Sequence, residues 1–253
     1  MVTNIHHVGI AVASLKRSYR FWRDTLALPL VREAEVAEQG VRAALLIAGE
    51  SLVELLEPLS PETPIGRFLA KRGEGLHHVC FKTADVGGDL AALRAKSVPL
   101  LDDTPRRGLA GRIGFLHPKA CHGVLVELAT PEADETPEES PVRFKRLVIG
   151  SRAPHETAKT YQDLFGLPEV EINGGPRTML GWAGGGTLLM VPAGEVGGME
   201  GMVALSMVAP DLPPLIQRLE RAQAALLLGA GELTVEPKSS HGVHLHISRY
   251  HFP

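Results

Sequence analysis

Cysteine is scarce: Cys80 and Cys121 are the only two in 253 residues. Two thiols build no disulfide framework, so a small secreted, disulfide-stapled fold is excluded and a reduced, cytoplasmic compartment is the expectation. Charge of one sign is also lacking. The net charge is −3, and neither nucleic acid nor an anionic membrane is expected as a partner, since both require a strong basic surplus. No apolar run comes near the ~18 residues of a spanning helix. The opening residues Met1-Val2-Thr3-Asn4 lead straight into the strand-like Ile5–Val12, with no basic segment and long apolar segment of a secretory leader. No Gly-x-Ser-x-Gly elbow is present, which removes the commonest serine-hydrolase signature. Gly184-Gly185-Gly186 and Gly174-Gly175-Pro176 do not open a helix in a nucleotide fingerprint and read as hairpin turns. Hydrophobic residues at 44% and charged residues at 22% leave an ordinary globular chain, long enough for two domains.

What the chain does contain is an internal repeat. His6-His7-Val8 returns as His77-His78-Val79, and Leu52-Val53-Glu54-Leu55 returns as Leu125-Val126-Glu127-Leu128. Glu54 follows His7 by 47 positions and Glu127 follows His78 by 49. Two copies of one module therefore fill about residues 4–60 and 75–130. Each opens on a His-His-Val strand and closes on a Val-Glu-Leu strand. Between them lies a helix, over Ser14–Leu26 in the first copy, with Leu15, Tyr19, Trp22 and Leu26 on one face and Ser14 as cap, and over Val86–Lys96 in the second, with Leu90 and Leu93. Short strands with Gly and Pro turns complete an α+β pattern. Residues 131–142 are acidic and Pro-rich and read as a linker. Beyond it the module pair returns in faded form. Tyr161–Pro168 matches Trp22–Pro29, Gly201–Leu205 matches Gly75–Val79, and His241–Ile247 matches His122–Leu128. The chain is thus expected to hold four copies of one unit in two domains, 1–130 and 143–253.

Strand parity points to a site. If side chains alternate, His7 shares a roomy face with Gly9 and Ala11, while His6 joins Val8, Ile10 and Val12 on the apolar face. The same rule pairs His78 with Cys80, and His77 with Val79 and Phe81. Glu54 and Glu127 stand inside apolar strands, where an unpaired carboxylate costs several kcal/mol. A cation shared by His7, Glu54, His78 and Glu127 removes that cost. Two imidazoles and two carboxylates suit a divalent first-row ion, with Co²⁺, Mn²⁺, Ni²⁺ and Zn²⁺ all acceptable. In the second half, His241, His244, His246 and His251 resemble a metal cluster. The positions matching the other ligands there are Arg146, Leu188 and Ala204, and an arginine stays protonated and does not ligate. The second domain is therefore expected to be degenerate and without metal. Cys80 and Cys121 are expected to pack rather than form a redox pair.

With these residues in hand, the first half resembles the vicinal oxygen chelate (glyoxalase/bleomycin-resistance/dioxygenase) superfamily, in which paired βαβββ modules curl into a cup-shaped mixed sheet around a metal. Within it, residues 4–130 are most similar to methylmalonyl-CoA epimerases, through His7–Val12, Glu38-Gln39-Gly40-Val41, Pro64–Leu69, Gly73–His78, Phe115–Lys119 and Gly123–Leu128. The resemblance implies four such modules in two domains, the ligands His7, Glu54, His78 and Glu127, and Glu38 and Glu127 as catalytic acid/base groups. It further implies a metal-dependent epimerase acting beside the thioester of an acyl-CoA, through a metal-stabilised enolate. Stand-alone epimerases commonly pair, so the second half either supplies an internal pseudo-dimer or leaves a homodimer to form. A glyoxalase I-like lyase acting on a glutathione hemithioacetal uses the same four ligands, and a non-enzymatic small-molecule-binding protein uses the same fold. Lys71, Arg72, Arg106, Arg107, Arg112 and Lys119 lie near the matched loops, but none is assigned to coenzyme A phosphates.

Overall fold

In the computed structural model, which describes residues 2–132, 139–170, 177–182 and 185–249, the β-α-β-β-β order appears four times. The first module is β1 (Val2–Ala11), α1 (Leu15–Tyr19), β2 (Leu30–Val36), β3 (Val41–Ala48) and β4 (Ser51–Pro58), followed by a connecting helix α2 (Pro64–Arg72). The second is β5 (Gly75–Thr83), α3 (Val86–Ala95), β6 (Arg106–Gly108), β7 (Gly111–Leu116) and β8 (Val126–Thr130). The third is β9 (Arg143–Ser151), α4 (Pro154–Phe165), β10 (Glu169–Val170), β11 (Met179–Trp182) and β12 (Gly186–Pro192). The fourth is β13 (Gly201–Val208), α5 (Leu212–Arg221), β14 (Leu226–Gly229), β15 (Glu232–Val235) and β16 (Leu245–Ser248). Modules one and two form an eight-stranded sheet in the order β2-β3-β4-β1-β5-β8-β7-β6, and modules three and four repeat it as β10-β11-β12-β9-β13-β16-β15-β14. Each is a mixed, cup-shaped sheet: the outer strands pair antiparallel, while β1 runs parallel to β4 and β5 parallel to β8. The expected α+β fold of four modules is the observed one. Residues 133–138 of the acidic stretch read as a linker, Gly174–Pro176, Gly184 and His251 lie outside the described residues.

The four module helices, α1, α3, α4 and α5, pack into one core shared by the two sheets, while α2 packs on the concave side through Ile65. One apolar cluster joins Ile5, Val8, Trp22, Phe81 and Leu128 of the first half to Phe144, Leu147, Tyr161, Leu205 and Ile247 of the second. Each such side chain contributes roughly 1.5–3 kcal/mol on burial. Polar contacts cross the same boundary: Arg218 Nε donates to the Thr25 carbonyl at 2.9 Å, and His241 Nδ1 meets Glu74 Oε2 at 3.0 Å. The concave faces point away from this shared core. Among the described residues, no helix is long and apolar enough to cross a membrane.

The first helix departs from the expected geometry. Ser14 caps it by accepting from the Arg17 amide, but after Tyr19 it widens to a π-turn over Arg20–Thr25, with Leu26 N bonded to the Phe21 carbonyl at 2.9 Å. The wider turn rotates Phe21 and Trp22 together into the core and leaves Tyr19 half-buried. The second helix, Val86–Ala95, buries Leu90 and Leu93 as expected, with Asp85 accepting from Gly88 N at 3.0 Å.

Strand parity also breaks beside both ligand histidines. On β1, Ile5 pairs with Phe81 and His7 with Cys80, so His6 is one extra residue, a β-bulge. On β5, His78 pairs with Gly9 and Leu76 with Ile10, so His77 is a second bulge. Ile5 and Val8 both enter the shared core, and His6 turns with His7 to the concave side. His6 therefore does not lie on the apolar face with Val8, and His77 does not lie with Val79. A bulge shifts the alternation by one and leaves no mark in the residue pattern.

Candidate metal centre

Four strands at the centre of the first sheet carry the predicted ligands. His7 stands on β1, His78 on β5, Glu54 on β4 and Glu127 on β8, and the register places Glu54 and His78 on either side of Gly9. Gly9 is required there, because the His78 ring lies over it: an added Cβ would come within 2.8 Å of Nε2 and closer to Nδ1 and Cε1. All four side chains are buried, with His7 wholly inaccessible and Glu54 only 5% exposed.

Their polar atoms converge. His7 Nε2 and His78 Nε2 are 3.0 Å apart. Glu54 Oε2 lies 3.4 Å from each imidazole nitrogen. Glu127 Oε2 lies 3.3 Å from His78 Nε2 and 3.9 Å from His7 Nε2. Burial pulls the His7 imidazole down to about 3 and takes His78 well below its ordinary value. Burial pushes both carboxyls up, Glu127 further because the Glu54 charge stands beside it. Neutral imidazoles offer lone pairs, and the carboxylates need a cation to stay ionised in this setting. The donor set therefore fits a divalent ion, and it holds the two-His, two-carboxylate chemistry expected from sequence.

Beside the four lies a cavity of about 520 Å³. His78, His77 and Phe115 form part of its wall, with Leu56, Ile65 and Arg106. Phe115 packs its ring edge-on to His78 with centroids 5.4 Å apart. Glu38 is on the same wall, exposed, in a short 3₁₀ turn over Ala37–Gln39. The Glu-Gln-Gly-Val motif has a local reason. Gly40 ends the turn at φ +67°, where a Cβ would press to 2.6 Å from Thr63 Cγ2. Of the six uncommitted cations, Arg106 alone lines this cavity, and it is held by Asp102 at 3.0 Å. Arg107 lines an adjoining cavity of about 370 Å³ that also touches Glu38. Cys80 and Cys121 are free and buried in separate clusters.

The second cup has lost this set. Ala204 and Leu189 flank Val148 as His78 and Glu54 flank Gly9. The position matching Glu54 is thus Leu189, not Leu188, which packs in the shared core instead. His246 matches Glu127 and contacts Glu232 at 3.1 Å.

Comparison with known proteins places the chain by sequence and by fold. The sequence model of the Glyoxalase/Bleomycin resistance protein/Dioxygenase superfamily matches residues 6–115. The mitochondrial methylmalonyl-CoA epimerase of Mus musculus is 36% identical over 126 residues, 49% of this chain and 71% of that protein. The chain belongs to this superfamily. A methylmalonyl-CoA epimerase variant of Streptomyces coelicolor, solved with 2-nitronate-propionyl-CoA, is 46% identical at a TM-score of 0.51, covering 53% of this chain and 100% of that one. The first half is thus a superfamily domain of the racemase/epimerase kind. A 4-hydroxymandelate synthase variant of S. coelicolor spans 97% of this chain and 92% of its own at a TM-score of 0.71 and 15% identity. That likeness is one of fold and covers both halves.

Proposed function

We propose that the protein is a metal-dependent epimerase that inverts the carbon α to a thioester in a methylmalonyl-CoA-like acyl-CoA. The observation that carries this reading is the meeting of His7, Glu54, His78 and Glu127 beside a cavity that Glu38 also lines, in a half-chain that aligns with the whole of an epimerase solved with an acyl-CoA ligand.

Inversion removes a proton from one face of the carbon and returns one to the other. His7, Glu54, His78 and Glu127 would hold a divalent ion, which supplies Lewis acidity toward substrate oxygens. Glu38, exposed on the cavity wall, is suited to exchange a proton with bound substrate on one side. Glu127, buried beside the two imidazoles, would serve the other side. Each positioned acid/base group contributes ~10²–10⁴-fold. Leu56, Ile65 and Phe115 line the cavity and would shield the reacting carbon from water. Residues 1–130 act in this reading as the catalytic domain and 131–142 as tether. Residues 143–253 stand where a second subunit would, as an internal pseudo-dimer. Two buried free thiols suit a reducing, cytoplasmic setting.

The test is proton exchange. Metal-loaded protein and methylmalonyl-CoA are incubated in D₂O, and the C2 proton is followed by NMR. Loss of that signal faster than in the metal-free control is expected, and equal rates refute the reading.

A further inference from the structure

His6 and His77 have no part in the reaction just described, yet both are buried or half-buried beside the ligands. Each precedes a ligand histidine, and each sits on a β-bulge that turns it to the same side as that ligand. Their contacts are alike. His6 Nδ1 lies 2.8 Å from His7 Nδ1, and His77 Nδ1 lies 3.1 Å from His78 Nδ1. In both pairs the rings stand edge to face, at 77° and 88°. The opposite nitrogens, His7 Nε2 and His78 Nε2, are the ones that face Glu54 and Glu127.

We propose that His6 and His77 are positioning residues, each accepting a hydrogen bond from the Nδ1–H of the following ligand histidine and so aiming its Nε2 at the metal position. The inference rests on reading the four side chains as a metal site. The tautomers follow from the contacts. An imidazole that ligates through Nε2 carries its proton on Nδ1. Its Nδ1 partner must then present a lone pair, so His6 and His77 carry their own protons on Nε2. The Phe68 ring, 5.0 Å from His77, holds that acceptor in place.

The second cup supplies an internal control. It keeps both bulges, at Lys145 on β9 and at Val203 on β13. The residues that follow them, Arg146 and Ala204, are not ligand histidines, and the bulged residues are not histidines either. The backbone irregularity therefore belongs to the fold, while a histidine on it goes with a ligand histidine after it. In the first cup the acceptor is a side chain, so it can be removed without touching the strand.

The test uses His6→Phe and His77→Phe, which keep ring bulk and remove the acceptor, against His6→Asn and His77→Asn, whose amide oxygen can stand at the Nδ1 position. Co²⁺ affinity is read by chelator competition and ligand geometry by the visible Co²⁺ spectrum, with the full-length chain throughout. Loss of one such partner is expected to weaken metal binding ~10–100-fold and to change the spectrum in the Phe variants, with less than about tenfold loss in the Asn variants. In the wild-type protein loaded with Zn²⁺, ¹⁵N NMR should show Nε2–H tautomers for His6 and His77. That measurement decides the matter even if a Phe variant does not fold. Wild-type affinity in the Phe variants, equal loss in Phe and Asn variants, or Nδ1–H tautomers at His6 and His77 would overturn the proposal. So would a second Co²⁺ whose visible spectrum carries a Cys80 thiolate-to-Co²⁺ band that is lost in Cys80→Ser, since that ion would take His6, His7 and Cys80 as ligands. Absence of any Co²⁺ uptake by the wild type would instead sink the metal-site reading itself.

Discussion

Replacing Gly9 by alanine adds one methyl group to the floor of the site and touches none of the proposed functional groups by name. The methyl carbon would stand 2.8 Å from His78 Nε2 and nearer still to Nδ1 and Cε1. Ordinary contact begins at 3.4 Å, so Nε2 must retreat by at least 0.6 Å, the difference between those two distances, and the nearer ring atoms further. The ring has little room. Phe115 packs against it, and His77 holds its other nitrogen. A misplacement on the order of 1 Å at such a group costs ~10²-fold, or about 2.7 kcal/mol. Gly9→Ala should therefore lower Co²⁺ affinity and kcat/KM by at least ~10²-fold. Overpacking should also cost about 1–3 kcal/mol of stability in the metal-free protein. Chelator competition with Co²⁺, the D₂O exchange assay and urea unfolding read the three effects separately. Wild-type metal affinity in Gly9→Ala would show that His78 is not a ligand in the position described.

Glu38→Gln should keep metal affinity and lose ~10²–10⁴-fold in exchange rate; full activity with metal bound would remove Glu38 from the mechanism. Metal binding should release protons. His7 is neutral above about pH 3, so proton competition comes from Glu54 and Glu127, whose carboxyls burial has raised. Ligation needs them ionised, so affinity should fall as pH drops through their raised range, with proton release largest at its acid end. Calorimetry of Co²⁺ binding in buffers of different ionisation enthalpy, from about pH 5.5 to about pH 7.5, measures this; a constant heat across buffers at every pH contradicts it. Gly242→Ala should destabilise more than Gly197→Ala. Both glycines have positive φ, a strain of about 1–3 kcal/mol for other residues, but a Cβ on Gly242 collides with the Glu74 carbonyl across the boundary between halves, and one on Gly197 meets nothing within 4 Å. Equal losses in urea would mean that the two halves give way freely at that contact.

Much of this was legible in the residues, and the reason is repetition. A lone His or Glu in a strand says little, but His7, Glu54, His78 and Glu127 recur at matching offsets, and the structure brings all four together. The four-module architecture was readable for the same reason. What could not be read depends on backbone count. Alternation carried through His6 and His77 assigns both to the apolar face, because a bulge inserts a residue without changing composition. The π-turn after Tyr19 shifts the buried face in the same silent way, bringing Phe21 inward. In the second half, where no ligand fixes the register, Leu188 and Leu189 look alike in sequence, and only the strand pairing tells which one faces the cup. Phe115 was part of a recognised motif, but its edge-on contact with His78 comes from folding β7 beside β8.

The apolar cluster that joins the halves has a thermodynamic consequence. Neither sheet has a helical layer wholly its own, since Trp22 and Phe81 share one interior with Tyr161 and Phe165. The rings of Phe81 and Phe165 stand 5.1 Å apart across the divide. Melting either half would uncover the interior of the other, so the chain should unfold in one transition despite its duplicated plan. A ligand bound in the first cup then stabilises the whole chain by its binding free energy. Metal bound by the predicted ligands would then help to hold folded the half that lacks them.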